Sequence, residues 1–148
     1  MRTVLFQLFL CLAISAVRAS PADADPGWFW QNPLPQGNSL RGVASVDAQT
    51  AIAVGDFGTI LRTTNSGLTI PSSGTSNHLA GVSLVAANVG TAVGDFGAIL
   101  RTTDGGATWR RQSSGTTNLL WGVAIVDVNT ETVVGEGGTI LRTNTGGE

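Results

Sequence analysis

The chain contains no lysine and no tyrosine, and its 148 residues include one cysteine and one histidine. Each shortage removes a class of function. A retaining sialidase works through a tyrosine nucleophile, so that chemistry is closed. One cysteine and one histidine fall short of the three or four spaced ligands of a zinc centre. Charged residues make up only 12% and the formal net charge is −2, which leaves no basic face to displace counterions from nucleic acid. Helical periodicity is missing beyond the first twenty residues. What the chain does have is glycine, 20 residues of it, and 42% hydrophobic residues, a balance that supports a packed core rather than disorder.

The start of the chain reads as a secretory signal. Arg2 gives a positive beginning, an apolar run from Val4 to Val17 follows, and Val17-Arg-Ala19 ends in small residues. Cleavage after Ala19 is expected, which makes residues 1–19 a signal peptide and residues 20–27 a short linker; a second candidate site follows Ala22-Asp-Ala24, and the alternative reading is an N-terminal membrane anchor. The run is short for a membrane span, and none is expected after cleavage. Cys11 falls inside the signal, so the exported chain has no disulfide and must hold together by packing and backbone pairing.

Residues 28–148 are organised by an internal repeat. Val54-Gly-Asp-Phe-Gly-Thr-Ile-Leu-Arg-Thr-Thr64, Val93-Gly-Asp-Phe-Gly-Ala-Ile-Leu-Arg-Thr-Thr103 and Val134-Gly-Glu-Gly-Gly-Thr-Ile-Leu-Arg-Thr-Asn144 align directly. Upstream of each stands Leu40-Arg-Gly-Val, Leu79-Ala-Gly-Val or Leu120-Trp-Gly-Val. Gly42, Gly81 and Gly122 are 39 and 41 residues apart. A period of about 40 with glycine turns and β-branched runs marks a blade-type repeat of about four strands. The expected fold is therefore all-β: about three four-stranded antiparallel units of a partial or oligomer-completed β-propeller. Hairpin turns are expected at residues 56–58, 95–97 and 136–138, where glycine supplies positive φ. The fourth strand is clearest at residues 107–112. In the first unit it reads as residues 68–72, an outer edge because Pro71 cannot donate to a ladder.

Between the third and fourth strands of the second unit, Thr102, Asp104, Gly106, Thr108 and Trp109 fit the Ser/Thr-x-Asp-x-Gly-x-Thr-Trp pattern of an Asp-box (BNR repeat). There the carboxylate accepts N–H groups of its own turn and the indole packs across the strands. This is a structural motif and carries no chemistry.

These strings resemble the photosystem II stability/assembly factor family, within the broader class of Asp-box, sialidase-type propellers. The resemblance covers residues 28–148. It implies a β-propeller that acts by binding protein; from the residues themselves, no enzymatic activity and no cofactor are expected. The N-terminal signal leads to the expectation of export: periplasmic or extracellular, or the thylakoid lumen in a photosynthetic host. Members of that family have more blades than this chain supplies.

An enzymatic alternative, a glycoside hydrolase of sialidase type, lacks its tyrosine. His78 lies in a polar connection and reads as a solvated loop residue. For binding, Arg62, Arg101 and Arg142 occupy one repeat position, so the units would display three guanidiniums in a row to grip carboxylates of a protein partner. The structural alternative pairs each with an acid of its own repeat. Trp28, Phe29, Trp30 and Trp121 offer a second surface or, alternatively, core packing. Two further readings remain: a structural unit that assembles with copies of itself, and a fragment of a larger propeller. Residues 28–32 align with the fourth strand of the second unit. They are expected to pair with residues 140–143 of another copy in a six-blade ring.

Overall fold

The computed structural model of the chain describes residues 37–64 and 67–148. The described strands are β1 (Leu40–Ser45), β2 (Ala51–Gly55), β3 (Ile60–Thr64), β4 (Gly67–Thr69), β5 (Leu79–Leu84), β6 (Gly90–Gly94), β7 (Ala98–Thr102), β8 (Arg110–Gln112), β9 (Leu120–Ile125), β10 (Glu131–Gly135) and β11 (Ile140–Thr143). They form three antiparallel sheets in which neighbours in sequence are neighbours in space: β1–β4, β5–β8 and β9–β11. Each sheet is one repeat, and the all-β architecture is the one the sequence predicts. Two strand boundaries differ from expectation. The first fourth strand, β4, ends at Thr69, before Pro71, and β8 begins only at Arg110 because the preceding residues are held in a turn. The segments read as signal, linker and N-terminal strand, with Cys11 and Trp28 to Trp30, lie outside the described residues.

Alternation along the strands decides how the sheets stack. Val54 stands opposite Ile60, and Ile52 opposite Arg62, so these four side chains share one face of the first sheet. That face packs on the second sheet. Ile52, Val54 and Ile60 form one cluster with Leu79, Ala92 and Leu100, joined by Val82, Leu84 and Trp109. The second sheet repeats the arrangement toward the third, where Val93 and Ile99 meet Leu120 and Val133, with Val123 and Leu141 beside them. The hydrophobic core is thus two seams between sheets.

The recurring Gly42, Gly81 and Gly122 let the first strands of successive sheets approach. A Cβ on Gly81 would stand 2.7 Å from the Trp121 carbonyl oxygen and one on Gly42 3.0 Å from that of Ala80. The first is closer than a real Cβ comes and the second is tight enough that the neighbouring backbone would have to give, so the glycines mark a close approach of successive first strands. Each of β1, β5 and β9 also carries a register shift there, at Leu40/Gly42, Leu79/Gly81 and opposite Val134/Gly135.

Candidate partner-binding site

One end of the sheets is built by the turns at Asp56–Gly58, Asp95–Gly97 and Glu136–Gly138. Each closes with an N–H of the following residue on the acid's carbonyl, 3.0 Å for Thr59 on Asp56 and 3.1 Å for Thr139 on Glu136. The two central residues both have positive φ, the pattern of a type I′ hairpin that matches strand twist. Glycine alone does not supply it: Phe57 has φ 55 and Phe96 has φ 54, whereas the third repeat uses Gly137 at φ 63. A bulky residue in the left-handed region costs roughly 1–2 kcal/mol. Both phenylalanines nevertheless remain 65% and 66% exposed.

The turns of the second and third sheets are clamped by the loops that enter those sheets. Asn77 Nδ2 donates to the Asp95 carbonyl at 3.2 Å, and Asn118 Nδ2 donates to Thr139 Oγ1 at 2.9 Å. The loops brace themselves in the same way in both copies, with Ser73 Oγ donating to the Thr75 carbonyl and Ser114 Oγ to that of Thr116, each at 3.1 Å. Gly58 is required here twice over, by its φ of 68 and by the Thr75 carbonyl, 2.0 Å from where its Cβ would stand.

The ion pairs found at this end, among the described residues, centre on Asp56 of the first repeat. Arg41 Nε donates to Asp56 Oδ1, and this bond, with the attraction behind it, holds the Asp56 carboxyl below and the Arg41 guanidinium above their ordinary values. His78 Nδ1 lies 3.1 Å from the same carboxylate and 3.3 Å from the Phe57 N–H. The His78 ring also stacks at a tilt on Phe57, 5.1 Å between centroids. A cleft of about 100 Å³ lined by Arg41, His78, Ala80, Asp95, Leu119 and Trp121 opens beside this cluster. Trp121 is exposed.

The arginines of the repeat work across the seams. Arg62 Nε donates to the Gly105 carbonyl of the second sheet at 2.6 Å. Arg101 Nη2 donates to the Val128 carbonyl of the third, and its Nη1 lies 3.4 Å from Glu131 Oε2. Buried Glu131 also accepts from Thr91 Oγ1 at 2.7 Å. Each of these two guanidiniums therefore engages the following repeat rather than an acid of its own. Arg142, the third of the series, is exposed.

The segment from Thr102 to Trp109 forms a self-braced turn. Asp104 accepts from the Thr108 N–H at 2.9 Å, from Thr108 Oγ1 at 2.6 Å and from Thr102 Oγ1 at 2.8 Å. The Thr108 hydroxyl is the largest cause that lowers the Asp104 pKa to about 2. Gly106 N–H donates to Thr102 Oγ1 at 2.8 Å, and Trp109 packs on the first seam. Among the described residues no three His, Cys, Asp or Glu side chains come together as metal ligands, and no helix is long and apolar enough to cross a membrane.

No family model and no curated protein matches the sequence. Solved structures do match the fold. A structure of YCF48 bound to a D1 peptide superposes with a TM-score of 0.68 over 78% of this chain, at 20% identity. YCF48 from Cyanidioschyzon merolae gives a TM-score of 0.67 over 78%, at 23% identity. The chain has the YCF48 fold. It spans 40% and 39% of the length of those two chains, so its sheets are blades of a partial YCF48-type propeller.

Within this YCF48-type arrangement, three features escaped sequence reasoning. The exposed phenylalanines looked like ordinary turn residues. The signal that marks them is Phe, Phe and Gly at one repeat position where glycine is the unstrained choice. The Arg41–Asp56–His78 cluster needed the loop geometry. Glu131 was detectable as an acid where the other two repeats carry Ala51 and Gly90.

Proposed function

We propose that the protein is an exported, non-enzymatic propeller module that binds another protein in the manner of the photosystem II stability/assembly factors. The observation that carries this reading is the pair of exposed aromatics, Phe57 and Phe96, kept in a costly backbone conformation at the turn end of adjacent blades. Strain retained on solvent-facing rings points to a use outside the fold. Exposed Trp121 lies in the cleft beside them, and aromatic anchors of this kind dominate protein–protein binding energies. The YCF48 fold supports the reading, because one YCF48 structure holds a D1 peptide.

Of the arginine series, Arg62 and Arg101 contribute by fixing the blades, and Arg142 is the member left exposed. We read Thr102, Asp104, Gly106, Thr108 and Trp109 as an Asp-box that shapes a blade edge. The N-terminal signal directs the chain to the periplasm or exterior, or to the thylakoid lumen of a photosynthetic host. Titration of a D1 peptide into the purified chain, followed by tryptophan fluorescence, tests the assembly-factor reading. Saturable binding that weakens in Phe96→Ala and Trp121→Ala is expected. Absence of binding overturns it.

A further inference from the structure

The third sheet exposes a face that the first two bury. Val54 and Ile60 are both 0% exposed in the first seam, and their equivalents Val93 and Ile99 are 0% and 8% exposed in the second. In the third sheet the corresponding Val134 and Ile140 are 45% and 71% exposed. Arg142 continues the pattern, exposed where Arg62 and Arg101 reach the next blade. At the opposite end of the stack the complementary face is open. Leu79 and Leu120 are 0% exposed, yet their equivalent Leu40 is 47% and Val43 beside it 71%. On β3 that face is already covered at Leu61, so the opening lies along β1.

We propose that these two faces dock on each other between two copies of this chain, head to tail, as one more seam of the kind already present twice within it. The tail face supplies Val134, Ile140 and Arg142, and the head face supplies Leu40 and Val43. The internal seams say what Arg142 meets. Arg101 donates to the carbonyl of Val128, in the loop between β9 and β10. The same loop position in the first blade is Ala48, so Arg142 of one chain donates to the Ala48 carbonyl of the second copy. No acid equivalent to Glu131 awaits it, since Ala51 holds that position. The new seam therefore resembles the first, in which Arg62 meets a carbonyl.

The outer edge of β11 agrees with this occupant. Among the described residues no fourth strand pairs with it, and a cleft of about 300 Å³ runs along it between Gln112 and Thr143. Because the two faces differ, the contact is heterologous, and two such seams close a ring of two chains.

Sedimentation velocity of the purified chain at high concentration tests the proposal. The native chain is expected as a dimer. Ile140→Asp and Val43→Asp should each weaken association by at least about thirty-fold, with an unchanged strand signature in circular dichroism because both side chains are solvent-facing. The decisive arm mixes the two variants. Each keeps one intact face, so the mixture should recover a heterodimer through the single remaining seam. A native chain that stays monomeric, a dimer indifferent to both substitutions, or variants that fail to complement each other overturns the head-to-tail seam.

Discussion

Arg62 and Gly105 are 43 residues apart, and a 2.6 Å hydrogen bond from the guanidinium to the glycine carbonyl fastens the first blade to the turn of the second. A charged donor on a partly buried carbonyl is one of the stronger single contacts available to a domain without disulfides. Arg62→Met keeps the aliphatic stem and removes the donor. It should lower unfolding free energy by about 1–2 kcal/mol, read as a lower denaturant midpoint at unchanged slope.

Glu131 performs the equivalent task in the second seam with more at stake. It is buried, accepts from Thr91 and faces Arg101. Glu131→Ala leaves the guanidinium without its carboxylate and should cost about 2–4 kcal/mol. Glu131→Gln retains an acceptor for Thr91 and should cost less. Equal losses in thermal unfolding would show that the carboxylate charge, rather than the packing of the side chain or the acceptor for Thr91, carries the contact.

Phe96→Gly tests whether the turn is strained for a purpose. The third repeat already carries Gly137 in this geometry. The substitution should leave stability unchanged or raise it by up to about 1 kcal/mol, because glycine adopts the left-handed region without steric penalty. Partner affinity should fall in the same variant. A destabilised protein with intact binding would reverse the assignment.

Acid should loosen the turn at Asp104. Its folded-state pKa is lowered from 3.8 to about 2, so the stabilisation it provides is present above the unfolded value and is lost as pH falls through about 2. Asp47, Asp56 and Asp127 are shifted in the same direction by their own hydrogen bonds. Stability should therefore decline between pH 4 and 2, and Asp104→Asn should flatten part of that slope. A variant with the native pH profile would show that the hydroxyls of Thr102 and Thr108 do not bond the ionised form.

Much of the fold was legible because repetition multiplies weak signals. A single Val-Gly-Asp-Phe-Gly could be any hairpin, but three copies in register fix strand, turn and strand for β2–β3, β6–β7 and β10–β11. The recurrence of Gly42, Gly81 and Gly122, 39 and 41 residues apart, marked the first strand of each repeat. What repetition could not show is the relation between one copy and the next. Arg62 and Arg101 share a position with Arg142, and their sequence context is nearly the same. Only the stacking of sheets reveals that the first two reach forward to Gly105 and to Val128 with Glu131. Phe57 and Phe96 were hidden for the opposite reason. Their alternation with Asp and Gly reads as turn chemistry, and exposure of the rings depends on the loops around Ser73 and Ser114 that close beneath them.

The site itself was legible only in outline. The missing tyrosine pointed away from sialidase chemistry and the resemblance to the assembly-factor family pointed toward binding, but the surface depends on which end of a blade a turn occupies. Trp121 illustrates the difficulty. Its equivalents are Arg41 and Ala80, three unlike side chains at one repeat position. A position that varies in this way reports nothing about packing until the cleft beside His78 is seen.

The central claim is that a protein partner docks on the turn end of the blades. The most direct measurement places a photo-reactive amino acid at position 96, at position 121 or, on the loop at the far end of β1 and β2, at position 49, in the chain as its host produces it. The account predicts that positions 96 and 121 cross-link the same protein, identified by mass spectrometry, and that position 49 does not. Equal cross-linking from position 49, or no protein adduct from 96 and 121, would contradict it.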